Sequence, residues 1–388
     1  MRIGIITYWQ SNDNYGQQLQ CWALQHYLRG KGHDAYLIRY KFEGRQATKK
    51  PLLIKILKAL TIYPIFRHYL RKKRAQTYKE ELEKIEKKNI RRNFKGFRLG
   101  NLVLSEKEYK TLAELQSDPP IADMYITGSD QVWAQSLKDK ENEVFFLNFG
   151  EKGTKRVSYA ASFGMQDYPQ GELPILRQNL KRFDAISVRE NSGISICKSA
   201  GYKAVKVLDP TLLLDAADYS FLKGDNNTRK DYVYIYSLNI NKPQDIYFEE
   251  ILAYAKSNNL NLIVTPASGR TLGREIFGCD VTYDYATIPQ WISNIKHARL
   301  VVTTSFHGIV FCIIMHTPFV YIPLRGKNSS MNNRILDILE ALNLNQRIAS
   351  ALEDINNIVK NKINWDLVDE MLKNYRKDSK EFINKVIS

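Results

Sequence analysis

The first forty residues alternate between two short apolar runs and one amphipathic stretch. Residues 2–7 are typical of a buried strand, and residues 17–29 place apolar side chains at helical spacing. Gly30 and Gly32 follow that helix, and residues 35–39 begin a second strand. Such a β-α-β opening favours a parallel sheet with helices on both faces. The chain is therefore predicted to be an α/β protein.

The length of the chain predicts two units of this kind. With 388 residues it exceeds the usual size of a single hydrophobic core. Further strands are predicted at 123–127, 156–161, 185–188, 205–208, 232–236, 260–265, 300–304 and 319–322. We place the first domain at residues 1–215, the second at residues 216–365, and a terminal helix that crosses back onto the first domain at residues 366–388.

The net charge of +16 is concentrated in one segment. Between Lys41 and Arg98, 19 Lys or Arg residues stand against 5 Glu residues, a balance of +14. Residues 41–115 are predicted to form a basic helical insertion in the first domain. Residues 41–98 suit an anionic membrane surface, and a solvated helical excursion is an equal alternative. Nucleic-acid binding is not expected, because no aromatic residues alternate with the basic ones.

Several classes of protein are excluded by composition. Lys55 and Lys58 interrupt the best apolar stretch, so no run reaches the ~18 residues that a membrane span needs. The N-terminus lacks the features of a secretory signal, and the four cysteines form no Cys-x-x-Cys pair. Neither a zinc site nor a disulfide framework is predicted. We expect a cytoplasmic protein, peripheral at the inner face of the plasma membrane if the basic segment binds lipid.

One strand-turn-helix stretch, residues 300–315, carries an imidazole at its bend. Ser305 is placed to cap the helix, and Gly308 would let a ligand approach the backbone. Such a helix start can hold phosphate. The helix dipole disfavours a charged His307 in the empty site, and a bound phosphate would make protonation easier. The alternative is a buried structural turn without chemistry.

Six short motifs follow predicted strand ends in a characteristic order and spacing. They are Asn14-Tyr15-Gly16 with a Gln-rich helix, Gly128-Ser129-Asp130-Gln131-Val132-Trp133, Ala161-Ser162-Phe163-Gly164, Ser187-Val188-Arg189-Glu190, Asp209-Pro210-Thr211 and Ser305-Phe306-His307-Gly308. Through them, nearly the whole chain resembles the polysaccharide pyruvyltransferase family. No single motif is specific, so the resemblance depends on the set.

The resemblance implies two Rossmann-like domains that face each other across a cleft, as in GT-B glycosyltransferases. The first would form the acceptor side and the second the donor phosphate side. It also implies transfer of a pyruvate group from phosphoenolpyruvate to two hydroxyls of one sugar, which gives a cyclic ketal and phosphate. The acceptor would belong to a cell-surface polysaccharide or its lipid-linked precursor. No metal or organic cofactor is implied.

This chemistry requires a general acid, a base, and cations for phosphate and carboxylate. His307 is the candidate acid, and Asp130 is either the base or a local turn cap. Arg189 is either a donor clamp or one partner of a strand-end salt bridge. Members of the family often carry an Arg where this chain has Ser305, so Arg334 or Arg325 is expected to supply the missing charge. The predicted donor site comprises Arg189, Ser305, Phe306, Gly308, Arg334 and Arg325.

The predicted acceptor site comprises Asn14, Tyr15, Gly16, Ser129, Gln131 and Trp133. Tyr15 and Trp133 would stack on a sugar ring, although aromatic residues at such positions also belong to cores. Two other functions remain open at this point. One is a GT-B glycosyltransferase, sialyltransferase-like, that uses a nucleotide sugar; the other is a non-catalytic protein that binds a glycan or lipid.

Overall fold

Two parallel sheets, each with five strands, organise the protein. The computed structural model describes residues 1–41, 87–88, 90–222, 229–266, 275–350 and 354–388. We call residues 1–222 the first half and residues 229–350 the second half. The predicted helix pair at residues 51–74 lies outside the described residues.

The first sheet has the strand order β3-β2-β1-β4-β5, and all its pairs are parallel. Its strands are β1 Arg2–Ile6, β2 Asp34–Tyr40, β3 Leu104–Tyr109, β4 Met124–Thr127 and β5 Lys155–Ser158. Two short strands, β6 Ser187–Val188 and β7 Val205–Lys206, pair with each other next to β5. Isolated bridges from Val157 to Ala185 and from Ala161 to Val188 join this pair to the sheet.

The second sheet repeats the same relative order, β10-β9-β8-β11-β12, and is also parallel. Its strands are β8 Tyr232–Tyr236, β9 Asn261–Val264, β10 Thr282–Tyr283, β11 Leu300–Thr303 and β12 Phe319–Tyr321. The prediction of two Rossmann-like α/β units, each with a parallel sheet, is confirmed.

The helices cover the sheets and connect their strands. They are α1 Tyr15–Gly30, α2 Phe94–Asn101, α3 Leu112–Ser117, α4 Leu173–Leu180, α5 Asn191–Ser199, α6 Phe248–Ser257, α7 Ile288–Lys296, α8 Phe306–Ile314, α9 Asn333–Ala341, α10 Asp354–Lys360 and α11 Trp365–Ile387. No helix in the described part of the chain has the length and apolar character that a membrane crossing would need.

The two halves share one hydrophobic core. Tyr15, at the start of α1, stacks on Trp291 of α7 with ring centroids 5.2 Å apart, and its edge meets Tyr236 of β8 at 5.7 Å. Such aromatic pairs contribute about 0.5–1.5 kcal/mol beyond the area that they bury. The hydroxyl of Tyr15 donates a hydrogen bond to the carbonyl of Ala286 at 2.6 Å. The starts of α1 and α8 are thereby held on the same side of the molecule.

Helix α11 contacts both halves. Near its start, Asp369 accepts from His316 of the second half at 3.0 Å. Two turns later, Arg376 donates to the carbonyls of Leu212 and Leu214 in the first half, at 2.6 and 2.7 Å. Ser379 accepts from the N–H of Leu208 at 2.9 Å. The helix therefore fixes the segment that follows β7.

The predicted basic helical insertion at residues 41–115 is wrong at its C-terminal end. Residues 104–109 form strand β3, which pairs with β2 at the edge of the first sheet. This strand has a mostly exposed charged face, so no apolar run marks it in the sequence. Residues 42–86 of the insertion lie outside the described residues.

Candidate active site

The cleft between the two halves contains a cavity of about 520 Å³. The first half contributes Asn14, Gln17, Asp130 and Gln131 to its wall. The second half contributes residues 304–307, Arg334 and a rim that includes Asn239, Asn241 and Asn328. In open parallel sheets, ligands bind at the carboxyl ends of the strands. The cavity lies at that position in both sheets.

Helix α8 brings His307 into this cavity. The helix begins at Phe306, so His307 lies in its first turn. Ser305 caps the helix as expected, because its hydroxyl accepts from the N–H of Gly308 at 3.3 Å. Glycine is needed at position 308 for a different reason from the predicted one. A Cβ there would lie 2.5 Å from Oγ1 of Thr303, so Gly308 permits packing against β11 and does not line the cavity.

The ring of His307 packs against the start of α1. A Cβ at Gly16 would lie 2.1 Å from Nδ1 of His307, so only glycine leaves room for the ring. Asn14 precedes this position and caps α1 through Oδ1, which accepts from the N–H of Gln17 at 3.2 Å. Gly16 therefore makes room for the imidazole and does not itself line the cavity.

Asp209 connects the imidazole to Arg189. Its Oδ2 lies 3.6 Å from Nε2 of His307 and accepts from Nη1 of Arg189 at 2.8 Å. Its Oδ1 accepts from the N–H and the hydroxyl of Thr211, at 3.1 and 2.7 Å. Burial by itself would raise the pKa of Asp209, but His307 and Arg189 outweigh burial and hold that pKa well below its ordinary value. Asp209 is therefore an ionised carboxylate inside the protein.

Arg189 is buried among three carboxylates. Besides Asp209, Asp130 lies 3.7 Å from Nη2 and Glu190 lies 3.9 Å from Nε. Burial acts to lower the pKa of Arg189, but the three carboxylates raise it, so the guanidinium stays charged. Its Nε and Nη2 atoms make no hydrogen bond within the described residues. The ion pair with Asp209 matches the salt-bridge alternative, and Arg189 does not line the main cavity, although two of its buried donors have no partner among the described residues.

Arg334 is a second cation at the same place. Its guanidinium lies 5.5 Å from the ring centroid of Phe306, and that of Arg189 lies 4.7 Å from the same centroid. Burial and the nearby Arg189 lower the pKa of Arg334 to about 10, which still leaves it charged at neutral pH. Within the described part of the chain, Arg334 forms no salt bridge, and its Nε has no hydrogen-bond partner. Two cations that converge in this way favour a bound anion.

Of the two substitutes for the Arg absent at Ser305, only Arg334 lines the cavity. Arg325 is exposed, donates to the hydroxyl of Tyr247 and lies with its guanidinium 5.2 Å from the centroid of that ring. Arg325 therefore does not occupy the predicted donor site.

The predicted acceptor residues separate into two groups. Asn14 and Gln131 line the cavity, as does Asp130, the candidate base. Ser129 is fully buried, and its hydroxyl lies 2.9 Å from Oε1 of Gln20 and 3.4 Å from Oδ2 of Asp209. Ser129 therefore supports the site from inside.

The prediction that Tyr15 and Trp133 stack on a sugar is wrong. Both rings are fully buried. Trp133 stacks on Phe146 with centroids 5.1 Å apart and donates to the carbonyl of Phe145 at 3.0 Å. Tyr15 belongs to the shared core described above. The first half thus offers polar side chains, and not aromatic faces, to an acceptor.

Sequence analysis missed two residues of the site. Asp209 was named only as part of a motif and was given no role, although it follows a predicted strand just as Arg189 does. Gln20 lies inside α1, and its Oε1 accepts from both the N–H and the hydroxyl of Ser129, at 3.2 and 2.9 Å. The strand-end pattern contained a signal for Asp209. No local pattern distinguishes Gln20 from the other glutamines of that helix.

Comparison with known proteins identifies the family. A model of the polysaccharide pyruvyl transferase family matches residues 14–324, which is most of the chain. The chain belongs to the polysaccharide pyruvyl transferase family. It is accordingly a transferase enzyme, and a polysaccharide acceptor is implied. The match includes all six motifs on which the resemblance was based.

Solved structures that resemble this pyruvyl transferase have low sequence identity to it. The UDP-GlcNAc 2-epimerase from Neisseria meningitidis bound to UDP-GlcNAc is 9% identical, with a TM-score of 0.49 over 100% of this chain and 99% of that one. The UDP-N-acetylglucosamine 2-epimerase from Rickettsia bellii is 12% identical, with a TM-score of 0.49 over 99% and 97%. MurG from Acinetobacter baumannii is 9% identical, with a TM-score of 0.42 over 99% of both chains. A search of curated protein sequences returned no match.

Proposed function

We propose that this pyruvyl transferase moves the pyruvate group of phosphoenolpyruvate onto two hydroxyls of one acceptor sugar. The products are a cyclic ketal and inorganic phosphate. The observation that carries the proposal is that His307 and Arg334 line one interdomain cavity, with Arg189 buried next to them against Phe306. A small donor with both a phosphate and a carboxylate needs more than one cation, and protonation of an enol phosphate at carbon needs a proton donor.

The donor binds on the side of the second half. Arg334 and the start of α8 face its phosphate, since a helix start and a guanidinium both bind phosphate oxygens. Arg189 offers the free Nε and Nη2 donors to the carboxylate. Phe306, which lies against both guanidiniums, limits the space in which they can move. This arrangement holds the methylene carbon of the donor near His307.

Catalysis begins when protonated His307 gives its proton to the methylene carbon. The enol double bond supplies the electrons of the new C–H bond and leaves an oxocarbenium-like centre on the neighbouring carbon. Asp209 is ionised and lies 3.6 Å from Nε2, so it stabilises positive charge on the ring before the transfer. The ring becomes a neutral base afterwards.

Two sugar hydroxyls then replace the phosphate. The first attacks the oxocarbenium-like carbon while Asp130 takes its proton. The carbon–oxygen bond to phosphate breaks, and phosphate leaves with the electron pair and receives the proton from Asp130. The second hydroxyl attacks the carbon that results, and its proton goes to neutral His307. This last transfer restores the acid for the next turnover.

In this scheme side chains supply every proton and cation, so the reaction needs no metal or organic cofactor. We place the acceptor in a cell-surface polysaccharide, such as an exopolysaccharide, or in its lipid-linked precursor. The basic segment would hold the enzyme at the inner, cytoplasmic face of the plasma membrane, where a lipid-linked acceptor is found. Not all of its charge is available for that purpose. Arg92 is buried against Tyr15 and Pro266, and Arg98 donates to the carbonyl of Ser11.

Phosphate release from phosphoenolpyruvate, measured with and without a panel of acceptor glycans, tests the proposal. We expect release only with a matching acceptor. Because a positioned acid contributes typically 10²–10⁴-fold, His307→Ala should lower kcat by about 1,000-fold. His297→Ala, at the exposed end of α7, is the matched control and should leave kcat unchanged.

Two outcomes would contradict this assignment. One is full turnover by both His307→Ala and Arg189→Ala. The other is a rise in melting temperature with CMP, UDP or GDP and none with phosphoenolpyruvate, since only a true donor stabilises the protein by mass action. The second outcome would favour a nucleotide-sugar glycosyltransferase, for which a cavity of about 520 Å³ is large enough.

A further inference from the structure

A cluster of three polar side chains joins the two halves beside the cavity. Asp337 of helix α9 belongs to the second half, and Asn191 and Lys206 belong to the first. Oδ2 of Asp337 accepts from the backbone N–H of Asn191 at 2.7 Å, and Oδ1 accepts from its side-chain amide at 3.1 Å. Lys206 donates to Oδ1 of Asn191 at 3.0 Å and lies 3.6 Å from Asp337. We call these three residues the latch.

Asp337 takes the place of a missing helix cap. Helix α5 begins at Asn191, and the residue before it, Glu190, makes no capping hydrogen bond. The carboxylate of Glu190 instead accepts from the N–H of Phe163 at 2.9 Å. The first N–H of α5 is therefore satisfied by a carboxylate from the other half, which also interacts favourably with the helix dipole. A helix in the first half is complete only when the second half is in place.

The latch lies directly beside the two cations of the donor site. Asp337 follows Arg334 by one turn of α9, and Asn191 follows Arg189 by two residues. Both guanidiniums lie within 5.5 Å of the ring centroid of Phe306, and the charge of Arg189 lowers the pKa of Arg334. Like charges at this separation repel, so their proximity requires attractive contacts between the two halves. The latch provides such contacts three residues from Arg334 and two residues from Arg189, in addition to a hydrogen bond from Asn333 to Gln166 at 2.6 Å.

The latch also borders a second, smaller cavity of about 130 Å³. Lys206 and Asp337 lie in its wall, together with Arg189, Phe306 and Arg334. Loss of the latch would open this space to water behind the two guanidiniums. Water there would screen their field and weaken the attraction of an anion in the main cavity.

We propose that Asp337 is a positioning residue, which holds Arg334 beside Arg189 and thereby sets the affinity of the site for its anionic donor. The identity of that donor as phosphoenolpyruvate rests on the proposed function. The positioning role does not, because inorganic phosphate serves as a probe of the same cations. Asp337 touches no reacting atom and acts through Arg334.

Calorimetric titration of the full chain with inorganic phosphate and with phosphoenolpyruvate tests this role. Asp337→Ala should weaken both affinities about tenfold, because separation of the halves removes one of two cations. The KM for phosphoenolpyruvate should rise by a similar factor, while kcat stays within about threefold. Asp337→Asn keeps an oxygen that accepts from Asn191 and should weaken binding only about threefold. Glu340→Ala, an exposed acid on the same helix, should change neither affinity.

A double variant separates positioning from general stability. In an Arg334→Ala background, Asp337→Ala should cause no further loss of phosphate affinity, because the cation that it positions is gone. Equal losses in both backgrounds, or wild-type affinity in folded Asp337→Ala, would overturn the inference. So would a wild-type protein that binds neither phosphate nor phosphoenolpyruvate. Wild-type binding without acceptor-dependent phosphate release would reject the proposed function and leave the positioning role intact.

Discussion

The two halves have the same strand order and contribute opposite charge to the site. The first half places Asp130, Glu190 and Asp209 around a single arginine, so its side of the cleft carries excess negative charge. The second half brings His307, Arg334 and the start of α8, and its side of the cleft is positive. Similar folds have therefore been adapted to different tasks through the residues at their strand ends.

The opposite charges of the two sides of the cleft suit one cavity to two unlike substrates. Under the proposed function, an anionic donor would bind at the second half, and a sugar hydroxyl that must lose a proton would meet Asp130 of the first half. Neither half holds a complete site. Asp209 and His307 come from different halves, so catalysis depends on how the halves fit together.

Asp209→Asn should abolish the electrostatic contrast between the halves. The change leaves Arg189 buried without its closest ion-pair partner, which we expect to lower the free energy of unfolding by about 3–5 kcal/mol at pH 7. Turnover should fall on the order of 10³-fold, because His307 loses the carboxylate that faces it. Urea unfolding and phosphate release measure the two effects. Asp280→Asn, an exposed carboxylate, is the control and should alter neither.

The stability effect of Asp209→Asn should depend on pH in one direction. The pKa of Asp209 is lowered in the folded protein, so its contribution is fully present above the pKa of an unfolded aspartate. It is lost as pH falls below about 4 toward the folded pKa. Wild type and variant should therefore differ equally at pH 7 and pH 5 and converge in stronger acid. A difference that grows on acidification would show that Asp209 is not held ionised.

Gly16→Ala tests the fit of the halves at a single methyl group. The new Cβ would lie 2.1 Å from Nδ1 of His307, so either the ring or the start of α1 must move. A displacement near 1 Å of a catalytic group costs about 10²-fold in rate, and we expect a loss of that size in kcat. Gly30→Ala, at the other end of α1 with no atom near its Cβ, should have wild-type kinetics. Equal rates in the two variants would mean that the ring is not confined.

The smallest effect is expected for Arg325→Ala. This side chain contacts Tyr247 outside the cavity, so the KM for phosphoenolpyruvate should change less than about twofold. Arg334→Ala removes a cation of the same size from the cavity wall and should raise that KM by at least about tenfold. A tenfold rise corresponds to a loss of about 1.4 kcal/mol of binding free energy. Steady-state kinetics at constant ionic strength compares the pair. A larger effect at Arg325 would reverse the assignment.

Regular elements were predicted from the sequence with little error, because burial and periodicity determine them locally. Strand β8 has the predicted bounds of residues 232–236, and helix α11, Trp365–Ile387, differs by one residue at each end from the predicted 366–388. Strand β3 was missed, since an edge strand needs no apolar alternation along its exposed face. Strands β3 and β10 form by pairing with β2 and β9, which are distant in sequence. A short sequence window does not contain these partners, so local patterns could not predict the two strands.

The candidate site was predicted in part, through the rule that parallel strands end at one edge. That rule placed His307, Arg189 and Asp130 together. It does not specify the direction of a side chain within a turn, so Tyr15 and Trp133 were assigned to the cavity although both rings point into cores. Asp-Pro-Thr resembles an ordinary turn, and only the fold brings residue 209 under the imidazole. The choice between Arg334 and Arg325 likewise depends on how a loop turns after β12.

Helix α11 has a consequence for the order in which the enzyme becomes competent. Its contacts with Leu208, Leu212 and Leu214 flank Asp209 on both sides. Helix α11 is synthesised after both sheets. In a nascent chain, Arg189, Arg334 and His307 can therefore be present before the segment that carries Asp209 has its contacts with α11. The segment that carries Asp209 therefore acquires its flanking contacts only from a helix that follows both sheets in the chain.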